Sequence, residues 1–342
     1  MPTFMSAIVV TEAGDTSVLQ AQSLTRPSCA PNEVLVRIFA AGVNPVDTKA
    51  RQRGGLLGDP TAFIPGCDGA GIIEAIGSEV EHYQVGDAVF YCYGGIGQAS
   101  GNYAEFTCVP EQYIAHKPTA CNMAQAAAAP LVLISAWESL FDRARLQAGQ
   151  TLFITGGTGG VGHVAIQLAK EAGCRVICTV SSEEKADLAR SLGADAVIDR
   201  TQEDVVAAVM EWTDGAGVDL LFDTVGGETL PPLISSVANY GTVVSLLQFP
   251  DTLDWAQLRL KNITLAQELM LSPMLLNDYA AAEHQAAILE ECAELMTQDK
   301  LTVHIDTVLP LAEAAQAHQR IELGQTTGKL VLDCTDGTLD HD

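Results

Sequence analysis

Short apolar runs that are separated by glycine and proline dominate the first 118 residues of the chain. Turn signals such as Val85-Gly86-Asp87 bound these runs, and their composition favours β-strands. The candidate strands are Ser6–Thr11, Glu33–Ala40, Gly71–Ile76, Gly86–Phe90, Tyr103–Val109 and Tyr113–His116. Short strands at this spacing are typical of an antiparallel barrel or sandwich, so we predict an all-β fold for this part of the chain.

The pattern changes near Cys121, where an Ala- and Leu-rich helical segment, Ala124–Arg145, begins. Beyond Gly149, strand patterns alternate with helix patterns. The alternating elements are the strand Thr151–Thr155, the helix Gly160–Ala172, the strand Arg175–Val180, the helix Glu183–Ser191, the strand Ala196–Asp199, the helix Glu203–Trp212 and the strand Val218–Asp223. The segments Leu230–Ala238, Gly241–Leu246 and Ile263–Gln267 complete the series. Strict alternation predicts an α/β fold with a doubly wound parallel sheet.

The end of the chain is predicted to contain two helices, Asn277–Thr297 and Leu311–Leu323, and a last strand, Lys329–Asp333. The acidic tail Thr335–Asp342 is predicted to fray. The chain has 342 residues, whereas single hydrophobic cores stop growing at about 250–300 residues. We therefore expect two domains.

Composition and charge limit the binding partners and the cellular location that we expect. The chain has 18 basic and 43 acidic residues, and its formal net charge of −25 repels phosphate backbones, so no nucleic-acid partner is expected. The longest apolar run, Ala126–Trp137, is too short for a membrane span and contains Pro130. The N-terminus lacks the basic region of a signal peptide, and the nine cysteines form no C-x-x-C pair. We expect a cytoplasmic protein with reduced thiols and no membrane contact.

The strongest motif is a glycine-rich loop between the first strand and the first helix of the alternating region. Gly157, Gly159 and Gly162 satisfy G-x-G-x-x-G, the pattern that binds dinucleotides in this setting. The first glycine allows a tight turn, the second lets the backbone approach a pyrophosphate, and the third lets the helix close on the sheet. The helix N-terminus adds N–H donors and the positive end of its dipole. The residues predicted to contact the pyrophosphate are Gly157, Thr158, Gly159, Gly160, Val161 and Gly162.

The end of the second strand of this region distinguishes NAD from NADP. An NAD site needs an acidic residue there to hold the ribose 2′-hydroxyl. This chain has Ser181 and Ser182 instead, with Lys185 and Arg200 near the ends of adjacent elements. Hydroxyls and cations suit a 2′-phosphate, so we predict NADPH as the cofactor. The alternative is a serine helix cap with surface charges, and the adjacent glutamates at 183–184 weaken the basic character.

These features resemble the medium-chain dehydrogenase/reductase superfamily of alcohol dehydrogenases, in particular its zinc-free quinone oxidoreductase-like branch. The resemblance extends over nearly the whole chain. Its markers are Ala41–Asp47, Pro65–Gly71, Val85-Gly86-Asp87, Ser135–Glu138, the glycine loop, Phe222–Gly227 and Gly328-Lys329. It implies a GroES-like β-barrel catalytic domain over residues 1–123, a Rossmann NADP-binding domain over 124–268 and a return to the catalytic domain over 269–342. It also implies a homodimer or homotetramer that pairs the Rossmann sheets through Ile263–Gln267.

The resemblance also bears on the metal. Zinc-dependent relatives carry a Cys where this chain has Asn44, and a His-Glu pair where it has Cys67-Asp68. The third ligand, expected near Ile134–Ala136, is missing as well. A lone thiol does not build the three-ligand site of a catalytic zinc, so no metal is predicted, and Cys67 is interpreted as a small buried filler.

The resemblance implies which residues line the reaction site. Asn44 and Asp47 line the nicotinamide side of the cleft, and Ser135 replaces a Thr that commonly sits beside the ring. The alternative is an Asn-Pro turn, an Asp cap and a core Ser. Lys49 stands where several quinone reductases carry Tyr shortly after the Asp, and no Tyr proton donor occurs between Lys49 and Pro65. Val225, Leu246 and Lys329 complete the predicted cofactor-binding residues. Four histidines are expected on the surface of the protein. They are His163, His284, His304 and His318.

The leading functional hypothesis is an NADPH-dependent oxidoreductase that transfers hydride to quinones or α,β-unsaturated carbonyl compounds without zinc. Such acceptors are electrophilic by themselves and need no metal to polarise an oxygen. Two alternatives stay open. One is a zinc-independent aldehyde or ketone reductase, and the other is a non-catalytic NADPH-binding structural or regulatory protein. The expected partner in the leading hypothesis is a small-molecule substrate.

Overall fold

The computed structural model describes residues 3–56, 62–97, 100–324, 326–335, 337 and 339. The chain divides into two compact units. The first unit consists of Met1–Leu131 and Leu271–Asp342, and the second unit is Val132–Met270.

The first 131 residues contain most of the strands of the first unit. These elements are β1 (Phe4–Val10), β2 (Leu19–Thr25), β3 (Glu33–Val43), α1 (Pro45–Arg53), β4 (Asp68–Ile76), β5 (Ala88–Cys92), β6 (Phe106–Pro110), β7 (Ile114–His116) and α2 (Met123–Ala128). The predicted strands are present with shifted ends, whereas β2 and α1 were not predicted. Helix α1 was missed because it is polar and carries no apolar periodicity, although Pro at its first position is a helix-start signal.

The second unit alternates strands and helices. Its elements are α3 (Pro130–Trp137), whose first two residues belong to the first unit, a π-helical turn (Glu138–Arg143), β8 (Thr151–Ile154), α4 (Gly162–Glu171), β9 (Arg175–Val180), α5 (Glu183–Ser191), β10 (Ala196–Asp199), α6 (Val205–Trp212), β11 (Val218–Asp223), α7 (Leu230–Leu233), β12 (Val237–Ser245), α8 (Trp255–Leu260) and β13 (Thr264–Gln267). The helical segment predicted over 124–145 is thus divided, and Pro130 marks the break because proline lacks the N–H that would continue α2.

The chain then returns to the first unit. The elements there are α9 (Ser272–Leu276), α10 (Tyr279–Thr297), β14 (Ile305–Pro310), α11 (Ala314–Glu322) and β15 (Lys329–Asp333). Strand β14 was not predicted, because its sequence alternates only weakly and ends in Pro310.

The main sheet of the first unit has the strand order β14-β15-β3-β4-β5-β7, with β6 also paired to β3. Strand β3 organises it. Residues 33–37 of β3 pair with β6 and residues 40–43 pair with β15, so these two strands follow each other along one edge. Its pairings are antiparallel, whereas β14 and β15 run parallel. As a result, the end of β3 and the start of β15 lie side by side, which brings Val43 opposite Leu330.

The sheet of the second unit has the order β10-β9-β8-β11-β12-β13, and its pairings are parallel. In order of appearance this is 3-2-1-4-5-6, the doubly wound Rossmann order, so the predicted parallel sheet is confirmed. Its central strands are buried on both faces, and Phe153, Ile177, Leu221 and Val243 contribute to the core. The order reverses between β8 and β11, where such sheets bind ligands at the carboxyl ends of the strands.

Candidate active site

The glycine-rich loop lies at that reversal point, between the end of β8 and the start of α4. A side chain at Gly157 would place its Cβ 2.4 Å from Cys178 Sγ, and one at Gly162 would place its Cβ 2.2 Å from the Gly156 carbonyl oxygen. Gly156 itself has a φ of +67°, in the left-handed region. At Gly159, by contrast, the nearest atom to a Cβ is Gly156 O at 3.2 Å. The loop is thus closely packed at Gly157 and Gly162 and less crowded at Gly159.

His163 lies in the first turn of α4 and supports this loop. It is fully buried, and its Nδ1 lies 2.9 Å from the Gly159 carbonyl oxygen. The expectation that His163 lies on the surface was therefore wrong. The sequence contained a signal, because His163 lies between Gly162, the motif glycine that lets the helix close on the sheet, and the apolar Val164, and both neighbours are buried.

A buried carboxylate at the end of β11 connects the carboxyl ends of three strands. Asp223 Oδ1 accepts hydrogen bonds from the hydroxyl of Thr155 at 2.9 Å and from the N–H of Gly226 at 3.0 Å. Its Oδ2 accepts from the hydroxyl of Ser245 at 2.8 Å. Val225 N–H also donates to Oδ1, and Leu246 N–H donates to the Asp223 carbonyl. Both predicted cofactor residues after these strands are therefore held in place by Asp223, which was quoted in sequence only as part of a motif.

The predicted ribose-binding residues lie around the end of β9. Ser182 is the N-cap of α5, and its hydroxyl accepts from the Lys185 N–H at 3.3 Å. The Arg200 N–H donates to the Val180 carbonyl at 3.1 Å, which places Arg200 beside Ser181 at the end of the strand. Lys185 is half-buried and Arg200 is exposed, and neither side chain is ion-paired within the described residues. The cap predicted as the alternative thus exists together with the two cations.

In the first unit, Asn44 belongs to a buried cluster with Asp68 and Lys329. The Asn44 side-chain amide donates to Asp68 Oδ2 at 2.9 Å. The Lys329 ammonium donates to Asn44 Oδ1 and, at 3.1 Å, to Asp68 Oδ2. The Leu131 N–H donates to the other carboxylate oxygen at 2.8 Å. The ammonium of Lys329, predicted to bind the cofactor, is therefore engaged by two side chains of its own unit.

Asp47 lies one turn into α1 and is fully buried. Its Oδ2 accepts from the Asn44 N–H at 2.8 Å and from the Tyr103 hydroxyl at 3.2 Å. Burial raises the pKa of the Asp47 carboxyl to about 7; the Asn44 N–H and Lys329 lower the pKa, and Asp68 raises it. Asp47 is thus both a helix-capping residue and a group that titrates near neutrality.

Tyr103 links Asp47 to a second buried histidine, His318. Its hydroxyl lies 3.2 Å from His318 Nε2, and His318 Nδ1 lies 3.4 Å from the Arg51 guanidinium. His318 is fully buried, so its predicted surface position was wrong, whereas His284 is exposed and His304 is half-buried. The spacing of the buried positions Ala314, Ala317 and His318 places this histidine on the apolar face of α11, a signal that a helical pattern contains.

The remaining predicted residues are Lys49, Ser135 and Cys67, and Cys67 hydrogen-bonds to Asp47. Lys49 is exposed on α1, and Ser135 is buried in α3 of the second unit. Cys67 is fully buried, and the pKa of its thiol is raised well above the usual value by Cys92 and by burial. Across the described ranges, no group of three or more His, Cys, Asp or Glu side chains is arranged to hold a metal ion.

The second unit fits a dinucleotide. The loop is less crowded at Gly159 than at Gly157 and Gly162, and Gly159 is where the backbone must approach a pyrophosphate. Helix α4 begins at Gly162, where its N-terminus favours phosphate. The pyrophosphate would be held by Gly157, Thr158, Gly159, Gly160, Val161 and Gly162, and the end of β9 would hold the adenosine ribose.

In the part of the chain that the structure describes, no helix is long and apolar enough to cross a membrane.

Comparison with known proteins identifies the family. A family model described as an alcohol dehydrogenase GroES-like domain matches residues 30–119, and one described as a zinc-binding dehydrogenase matches residues 192–332. The quinone oxidoreductase of Pseudomonas aeruginosa is 34% identical over 93% of this chain and 96% of its own length.

Two solved structures agree with this. An alcohol dehydrogenase superfamily protein from Novosphingobium aromaticivorans is 39% identical with a TM-score of 0.90, covering 96% of this chain and 99% of that chain. A mycobacterial protein solved in complex with NADPH is 31% identical with a TM-score of 0.85, again covering 96% and 99%.

The chain therefore belongs to the medium-chain dehydrogenase/reductase superfamily of alcohol dehydrogenases, and it is a quinone oxidoreductase-like oxidoreductase of that superfamily. The predicted GroES-like and Rossmann fold is confirmed. A nicotinamide cofactor is supported by the family and by the NADPH-bound relative. The roles predicted for individual residues stay predictions.

Proposed function

We propose that this protein is an NADPH-dependent oxidoreductase that reduces quinones or α,β-unsaturated carbonyl compounds without zinc. Bound NADPH supplies the hydride. The protein contributes a backbone cradle for the pyrophosphate, hydroxyls and cations for the 2′-phosphate, and Asn44 at the nicotinamide side.

The single observation that carries this proposal is the contact of Lys329 with Asn44 and Asp68. The resemblance places a zinc ligand of zinc-dependent relatives at Asn44, and Asp68 stands beside Cys67, the second ligand position, where those relatives carry the Glu of a His-Glu pair. A buried ammonium between Asn44 and Asp68 supplies a positive charge, and a divalent cation at the same place would be repelled by it. The family model described as zinc-binding spans 192–332 and so does not include positions 44, 67 or 68.

The proposed zinc-free reaction determines which acceptors we expect. Reduction of an unactivated ketone needs stabilisation of the charge that develops on its oxygen. Quinones and enones take hydride at an electrophilic carbon and delocalise the charge, so holding the two reactants together provides most of the required acceleration. The name of the Pseudomonas aeruginosa relative supports the quinone class.

The preference for NADPH is supported by the end of β9. Ser181 follows β9 directly, the Arg200 N–H bonds to the Val180 carbonyl at the end of that strand, and Lys185 lies in the first turn of α5. No acidic residue occupies positions 180–182. Charge-assisted hydrogen bonds to a phosphate are stronger than those between neutral groups. A 2′-phosphate would therefore be favoured here, whereas the acidic partner of a 2′-hydroxyl is missing.

The test is steady-state oxidation of NADPH with a benzoquinone, an alkenal and an unactivated ketone, together with metal analysis of the purified protein. The proposal predicts fast turnover with the first two acceptors, little with the ketone, and no stoichiometric zinc. A faster rate with the ketone would favour an aldehyde or ketone reductase. Tight NADPH binding without turnover of any acceptor would favour the non-catalytic alternative.

Location and assembly complete the proposal. We propose a cytoplasmic homodimer or homotetramer that pairs second units through β13 (Thr264–Gln267). The mass of the purified protein measured by light scattering tests the assembly, and a monomer at micromolar concentration would contradict it.

A further inference from the structure

Helix α1 carries an aspartate and an arginine one turn apart that do not contact each other directly. Asp47 and Arg51 have i,i+4 spacing, at which such residues commonly form an ion pair. Here they are bridged by two neutral side chains from distant parts of the chain, Tyr103 and His318. All four residues are at most 1% exposed. The rings of Tyr103 and His318 meet edge to face, with centroids 5.7 Å apart.

The chemistry of the ends gives this chain of hydrogen bonds one direction. Arg51 has only donors, so His318 Nδ1 must accept from it. Burial and the nearby guanidinium lower the pKa of His318 to about 3, so the neutral ring keeps its single proton on Nε2. That proton is donated to the Tyr103 oxygen, and the Tyr103 hydroxyl is then donated to Asp47 Oδ2. Arg51 therefore sets, through His318, the orientation of the Tyr103 hydroxyl that donates to Asp47.

This chain of hydrogen bonds does not conduct protons to the surface. Its outer end is Arg51, which also donates to the Gly14 carbonyl at 3.1 Å and to Glu322. A guanidinium keeps its proton in proteins, so protons do not pass through it. The arrangement instead fixes the charge and orientation of Asp47, whose Oδ2 also holds the backbone N–H of Asn44.

We propose that Tyr103 and His318 are positioning residues of the reductase: they hold Asp47 and, through it, Asn44 in the orientation that hydride transfer requires. This inference rests on the proposed function, because it assumes that Asn44 lies at the nicotinamide side. Asn44 is thereby fixed at two points, its backbone through Asp47 and its side chain through Asp68 and Lys329.

The first test compares Tyr103→Phe with Tyr91→Phe. Both tyrosines are fully buried. The Tyr91 hydroxyl donates at 2.9 Å to Asn102, which is not part of the chain of hydrogen bonds from Asp47 to Arg51. Tyr91→Phe loses a buried hydroxyl and the hydrogen bond that it donates to Asn102. Tyr103→Phe loses a buried hydroxyl, the hydrogen bond that it donates to Asp47 and the one that it accepts from His318. We expect kcat with a benzoquinone to fall about tenfold in Tyr103→Phe, since hydrogen bonds to charged groups are the strong ones, and to change less than twofold in Tyr91→Phe. The KM for NADPH should be unchanged in both.

A pH profile separates positioning from simple destabilisation. Asp47 faces Asn44, Cys67, Asp68, Tyr103 and Lys329. Loss of the Tyr103 hydroxyl removes a donor to the carboxylate, so the acid limb of kcat should move to higher pH in Tyr103→Phe and stay in place in Tyr91→Phe. His318→Gln should retain the wild-type profile, because its amide both accepts from Arg51 and donates to Tyr103. His318→Leu should behave like Tyr103→Phe.

An activity-free measurement keeps the inference separate from the proposed function. Carbon-13 NMR titration of the aspartate carboxyls, with Asp47 assigned from an Asp47→Asn variant, should show the Asp47 transition at higher pH in Tyr103→Phe than in Tyr91→Phe. If the wild type reduces no acceptor, the proposed function fails while this titration still tests the chain of hydrogen bonds. Equal kcat, equal pH profiles and equal Asp47 titrations in the two phenylalanine variants would overturn the inference.

Discussion

The glycine loop of the second unit and the buried polar cluster of the first unit are constructed in opposite ways. The loop is made of backbone, and its defining residues lie within 155–162 of the sequence. The cluster is made of side chains, and it joins Asn44 to Lys329, 285 positions away. A site that needs close backbone approach is specified by local glycines, whereas a site that needs charges at fixed distances depends on the tertiary fold. A glycine loop can therefore be predicted from a single sequence, whereas a cluster of distant side chains cannot.

The largest expected effect concerns the buried ion pair of the cluster. Lys329→Met should leave the Asp68 carboxylate buried without its cation, and breaking a buried pair in this way costs about 3–5 kcal/mol. Chemical denaturation of the variant measures the loss. The double variant Asp68→Asn/Lys329→Met removes the stranded charge and should recover most of the stability. A loss below about 1 kcal/mol in the single variant would mean that the cluster is not a buried electrostatic unit.

The next effect concerns cofactor selection in the second unit. Lys185→Ala should weaken NADPH binding about 10–100-fold, since a charge-assisted hydrogen bond contributes about 1.5–3 kcal/mol, and should leave NADH binding nearly unchanged. Titration of cofactor fluorescence measures both affinities. Arg259→Ala is the control, because Arg259 is an exposed cation on α8 of the same unit. Equal losses for both cofactors in Lys185→Ala would assign Lys185 to the fold.

The loop itself offers a matched pair of alanine variants. Gly162→Ala would place a methyl group 2.2 Å from the Gly156 oxygen, and such overpacking costs about 1–3 kcal/mol of folding stability. Gly159→Ala would place its Cβ 3.2 Å from the Gly156 oxygen, a tight contact but not a clash, so its stability should fall less than that of Gly162→Ala while its affinity for NADPH falls. Thermal unfolding and cofactor titration separate the two effects. Normal cofactor affinity in Gly159→Ala would show that the backbone there does not approach the pyrophosphate.

The smallest net effect in the unsubstituted protein is a pH dependence of stability within the first unit, because two contributions there oppose each other. The native state holds a proton on Asp47 between about pH 4 and 7 that the unfolded chain lacks, because the pKa is raised to about 7, so this group lowers stability as pH rises. His318 has its pKa lowered to about 3, so the unfolded chain binds a proton that the native state does not, and this group raises stability between about pH 3 and 6.5. The two contributions oppose each other over most of this range.

Substitutions should separate these two contributions. In His318→Gln the free energy of unfolding should fall as pH rises from 4 to 7, whereas in Asp47→Asn it should increase between pH 4 and 6.5. Each slope is bounded at about 1.4 kcal/mol per pH unit for one proton. Denaturation at a series of pH values gives both. The same pH dependence in the two variants would contradict the assigned ionisation states.

The same contrast explains how far the sequence alone reaches. The alternation of strands and helices predicted the parallel sheet, and the glycine spacing predicted the loop at its reversal point, because both depend on local periodicity. Asn44 and Asp47 were proposed only through a resemblance, and the sequence contained no sign that Lys329 contacts Asn44. Tyr103 and His318 were missed because hydrogen bonds between residues 215 positions apart leave no local pattern.

The central claim is reduction of an activated acceptor by NADPH without a metal. It is tested most directly by the ratio of kcat/KM for NADPH to that for NADH, measured with a benzoquinone on metal-stripped protein in the presence of a chelator. We predict a ratio of about 10–100 in favour of NADPH, from the strength of the hydrogen bonds to the 2′-phosphate, and rates unchanged by the chelator. A ratio near one, or activity that is lost on chelation and restored by zinc, would contradict the account.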